Sequence, residues 1–156
     1  MLKRTIGIIL LVLAAGSVQA EKKLEVIDLA PENVSAEDKA AGQRYQAAQD
    51  AAAKITPAEA MDFIARLNST VEDGHVLAKS GAMNGTQSRN QAIALNKLQD
   101  EGAKFGTLFT PFAKCNNAAI DAATSWQGLI GNNEKLFVEY HQSYLQASLE
   151  CIKAAS

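Results

Sequence analysis

Residues 110–155 read TPFAKCNNAAIDAATSWQGLIGNNEKLFVEYHQSYLQASLECIKAA, and their spacing decides the fold. Phe112, Cys115, Ala119, Ala122, Trp126 and Leu129 recur every three or four residues, as do Phe137, Tyr140, Tyr144 and Cys151. Each set forms one apolar stripe on an α-helix. Val138, Leu145, Leu149 and Ile152 widen the second stripe. Between them lies Gly131-Asn132-Asn133, a turn by composition. Two antiparallel helices bring to one level the residues equidistant from their turn, and the midpoint of 115 and 151 is 133. Both cysteines fall on inward stripes, so a disulfide between Cys115 and Cys151 is expected, across Cα atoms about 4.4 to 6.8 Å apart. Closing this loop is worth about 3 to 4 kcal/mol in the chain-entropy model.

Outward from the hairpin, Thr110-Pro111 has the form of a helix start. It predicts a new helix here, the other reading being one helix over 89–130 kinked at Pro111. Upstream, Leu95, Leu98, Gly102, Phe105 and Phe109 predict a third helix over 89–109 with all five in the core. Residues 82–88, with Gly85, read as a loop. Thr56-Pro57-Ala58-Glu59 supplies a capping hydroxyl, proline at the first helical position and a reciprocal glutamate. A second helix follows, with Met61, Ile64, Leu67, Val71, Gly74 and Leu77 inward and Gly81 at its end. Ser35 with Asp38 starts a first helix over residues 36–54, poor in large apolar groups and expected at the edge of the bundle. Residues 21–34 read as an irregular arm, broken at Ala30-Pro31. The expected class is all-α: a four- or five-helix antiparallel bundle over residues 35–156 with one interhelical disulfide.

Lys3 and Arg4, the apolar run 6–15 and Val18-Gln19-Ala20 have the three-part form of a cleavable secretory signal over residues 1–20. The run is shorter than the ~20 residues of a membrane span. A periplasmic or secreted product starting at Glu21, with no span after cleavage, is the expectation, and it puts the cysteines where thiols oxidise. Setting aside Lys3 and Arg4 of the 15 basic residues, 13 stand against 17 acidic ones, a net charge near −4. Arg44, Arg66 and Arg89 are scattered, so no basic face exists for phosphates, and nucleic-acid binding is excluded.

No constellation in the chain demands catalysis. Glu72 and His75 share a helix face, as in di-iron bundles, but the other histidine, His141, has Val138 three residues before it. Asp73 with His75 could supply two members of a triad, yet no Gly-x-Ser-x-Gly elbow exists, and phosphate loops and dinucleotide fingerprints are missing. Haem-attachment and zinc spacings are also missing, so no cofactor and no metal are expected. The sequons at Asn33, Asn68 and Asn84 are chance occurrences on this reading, Asn68 lying inside a helix. The chain is expected to be a non-enzymatic, exported protein-binding domain, of the kind an inhibitor or immunity protein presents to a secreted toxin or effector. Charge favours a basic partner. Glu72, Asp73, Tyr140, His141 and Tyr144 are the candidate contacts, because tyrosine favours recognition surfaces. The alternatives are a small-ligand, haem or metal carrier and a periplasmic chaperone or stress protein.

Overall fold

The computed structural model describes residues 35–106 and 108–156. The signal expected over 1–20 and the arm expected over 21–34 lie outside them. The described residues are all-helical: α1 (Ala36–Ala52), α2 (Pro57–Lys79), α3 (Gly85–Gly102), a 3-10 turn (Ala103–Phe105), α4 (Ala113–Ile130) and α5 (Glu134–Ala155). Helices α2 to α5 pack in a closed ring, α2 on α3, α3 on α4, α4 on α5 and α5 back on α2. Neighbours run antiparallel. The Trp126 indole N–H reaches Ser88 O from α4 to α3 (3.3 Å), and the Ser143 hydroxyl donates to Asp121 between α5 and α4 (2.6 Å). Helix α1 lies outside the ring against the 3-10 turn and is exposed along most of its length.

The hairpin is built as the spacing predicts. Cys115 and Cys151 form a disulfide with Cα atoms 5.0 Å apart, both fully buried. Helix α4 is the central element, because Ala118, Ala119, Ala122 and Ala123 let its neighbours approach on several sides. Close to the turn, Gly128 lies so near α5 that a β-carbon on it would be 2.6 Å from Phe137 N. The core completes itself with Phe63, Ile64 and Leu67 from α2, Leu95 and Leu98 from α3, and Phe105, whose ring lies 4.7 Å from that of Phe63.

The capping signals were legible in part. Thr56 Oγ1 accepts from Glu59 N (3.3 Å) while the Glu59 carboxylate accepts from Thr56 N (2.9 Å), the reciprocal box expected at the start of α2. Helix α3 starts four residues earlier than expected. Asn84 and Gln87 form a second capping box, so Gly85 opens a helix instead of lying in a loop. A new helix does follow Pro111, although Thr110 does not cap it: its hydroxyl donates to Phe105 O (2.6 Å), and α4 begins at Ala113.

Three core expectations are overturned. Phe109 is fully exposed with φ +63°, because α3 ends at Gly102 and the chain turns away through Gly106 (φ +77°) before reaching it. Met61 is 38% exposed, and Ala60 and Phe63 take the inward positions of that turn. Val138, Leu145 and Leu149 face outward, since α5 buries the narrower stripe of Tyr144, Ala147, Ser148, Cys151 and Ala155 between α2 and α4.

Candidate functional site

The seam between α2 and α5 gathers the chemistry. At its middle, Asn68 of α2 accepts with one oxygen from the Tyr144 hydroxyl (2.7 Å) and the Ser148 hydroxyl (3.0 Å), both from α5. Burial, with a smaller push from the Glu72 charge, raises the Tyr144 phenol to about 12, so it remains a donor. This use of the Asn68 side chain gives the sequon there a packing role.

Two turns along α2 from Asn68, the two histidines of the sequence meet. His75 from α2 and His141 from α5 have ring centroids 4.7 Å apart, edge to face. Phe137, one turn before His141 on α5, stacks on the His141 ring at 5.3 Å and lies in a T-shaped arrangement with His75 at 5.7 Å. Burial lowers both imidazoles below the ordinary histidine value. The second causes are His141 for His75, and Lys79 in the last turn of α2 for His141.

His141 Nδ1 is buried and has no hydrogen-bond partner among the described residues. An N–H at that position would have nowhere to donate, so the neutral ring keeps its proton on Nε2. Neither histidine hydrogen-bonds to a serine, cysteine or carboxylate among the described residues. No group of three or more His, Cys, Asp and Glu side chains is placed there to hold a metal.

Two clefts open on either side of this pair, sharing His75, Lys79 and His141. One, of about 440 Å³, is completed by Ala78, Leu129 of α4 and Phe137. The other, of about 390 Å³, runs along the outer seam between Asn68, Val71, Glu72 and Val76 of α2 and Tyr144 and Leu145 of α5. Of the five residues expected to touch a partner, Glu72, His141 and Tyr144 meet in this outer cleft, whereas Asp73 and Tyr140 line neither. Sequence reasoning missed the pairing of His75 with His141 and the presence of Lys79 and Phe137 beside it. No in-sequence signal aligned α2 with α5, as the midpoint rule aligned α4 with α5.

Aliphatic side chains stay uncovered beside the outer cleft. Val76 is 63% exposed and Leu145 48%, and Leu149, one turn along α5, is 64%. No described helix is long and apolar enough to cross a membrane. No protein-family model, curated protein or solved structure matches the chain.

Proposed function

We propose that the chain is a non-catalytic binding domain of the cell envelope, exported by residues 1–20, and that its partner is another protein docking across the outer seam of α2 and α5. The observation that carries this reading is the row formed by Val76, Leu145 and Leu149, with the Asn68, Tyr144 and Ser148 hydrogen bonds beside it. An exposed aliphatic row over a buried, satisfied hydrogen-bond network supports the reading, because the centre of a recognition patch is apolar and well anchored. The supports are two well-anchored helices, one of them stapled by Cys115–Cys151.

Charge selects the partner. At the cleft the Glu72 and Lys79 charges offset each other, and it is the net charge near −4 of the exported portion that favours a basic protein. An inhibitor or immunity protein against a secreted, basic toxin has these requirements: rigidity, an oxidation-stable fold and a partner surface without chemistry of its own.

Affinity capture from envelope and secreted extracts tests the reading, using oxidised protein from Glu21 to Ser156 and a Leu145→Asp, Leu149→Asp variant. Wild type retains one stoichiometric basic partner. The variant loses at least about thirtyfold in affinity while keeping its helical circular dichroism, as expected when two central apolar contacts are replaced by charge. Equal capture by both proteins, or no stoichiometric partner for wild type, refutes the reading.

A further inference from the structure

We propose that the 440 Å³ cleft bounded by the last turn of α2, the end of α4 and the start of α5 binds a small amphipathic monoanion: a carboxylate of ~8 to 10 carbons in all, apolar apart from its head. Its walls divide by chemistry. Ala78, Leu129 and Phe137 are apolar, and the other lining groups are the nitrogen-bearing Lys79, His75 and His141. No carboxylate among the described residues lines it. Glu72 belongs to the outer cleft, on the far side of the histidine pair.

The charge count gives the ligand its valence. Lys79 is exposed and has no ion-pair partner among the described residues. The two imidazoles pack against each other and Phe137, and sealing His141 Nδ1 without a partner leaves that ring neutral, with its N–H on Nε2. Among the described residues the cleft therefore offers the full positive charge of Lys79, with the histidine pair beside it and apolar surface for the rest of the ligand. A single carboxylate on Lys79, with its hydrocarbon against Leu129 and Phe137, satisfies both halves. The ammonium beside the histidines opposes a metal cation at the same place.

This inference goes beyond the protein-binding reading, and its test contains no second protein. The probes are octanoate and, as its uncharged counterpart, 1-octanol, titrated into the oxidised protein from Glu21 to Ser156. Calorimetry gives the affinities, and amide chemical shifts locate the site. Octanoate is expected to shift Ala78, Leu129, Phe137 and His141, and to bind about tenfold or more tighter than octanol, the usual worth of a charge-assisted contact. Lys79→Met keeps the aliphatic stem and should reduce octanoate to the affinity of octanol. Ala78→Phe fills the cleft and should abolish both. No shift at these residues with millimolar octanoate, octanol binding as tightly as octanoate, or an unchanged affinity in Lys79→Met overturns the proposal. Lys79 is a surface residue, so its variant keeps the test decisive if Ala78→Phe fails to fold.

Discussion

Reducing the Cys115–Cys151 bridge is expected to weaken the hairpin on which both clefts depend. The bridged residues are 36 apart, and in the chain-entropy model releasing a loop of that length restores about 3 to 4 kcal/mol of freedom to the unfolded chain. With an unfolding entropy of ~2.1 cal/mol/K per residue, this lowers Tm on the order of 10–15 °C for a domain of this size. The loss falls on the unfolded state. The α4–α5 contacts remain, so reduced protein should still be helical at 20 °C and should unfold earlier. Thermal circular dichroism with and without a phosphine reductant, alongside a Cys115→Ala, Cys151→Ala variant, separates loss of the bridge from effects of the reductant. Thiol assay on denatured protein reports the redox state. A shift of Tm under about 3 °C in fully reduced protein, equivalent to less than ~1 kcal/mol, would refute the reasoning. The loop would then be held together in the unfolded chain without its bridge.

Further outcomes follow from individual positions. Gly128→Ala places a methyl 2.6 Å from Phe137 N and 2.9 Å from Phe137 Cα. Overlap with backbone costs about 3 kcal/mol and helix propensity returns about 1, so urea unfolding should show a net loss near 2 kcal/mol. Phe109→Gly relieves a left-handed, fully exposed residue and should raise stability by about 1 kcal/mol in the same assay. His75 and His141 have folded-state values below the ordinary 6.5. Their contribution to stability is complete above that value and is lost as pH falls through the lowered folded values, because the unfolded chain takes up protons first. Lys79 and Glu72 on α2 and Tyr144 on α5 are the other ionisable groups around the pair. Stability should therefore drop between pH 7 and pH 5, and a His75→Gln, His141→Gln variant should show a flatter profile. An identical slope in the variant would assign the drop to other groups.

The hairpin and the caps show what single-chain pattern can carry. Helix α4, helix α5 and their bridge were readable because a turn fixes the register of two adjacent helices, and Thr56 to Glu59 was readable because a capping box is local. Asn84 to Gln87 carries the same kind of local signal, masked by the glycine that follows Asn84. Phe109 continued a valid three-four pattern past the end of its helix, and nothing in that pattern records where Gly106 turns the chain. The inward width of α5 was overread because periodicity gives direction but not the number of neighbours, and α5 has α2 and α4 beside it and solvent beyond. The histidine pair was invisible for a related reason. His75 and His141 are separated by two intervening helices, and they meet only once the ring of four closes.

Site-specific photocrosslinking in cells producing the protein tests the docking face most directly. A benzophenone amino acid is placed at position 145 or 149, on the proposed face, and at Lys97, an exposed position on α3. One discrete adduct to a basic envelope or secreted protein from 145 and 149, and none from 97, is the predicted result. No adduct from any position, or equal adducts from 97 and 145, would contradict the account.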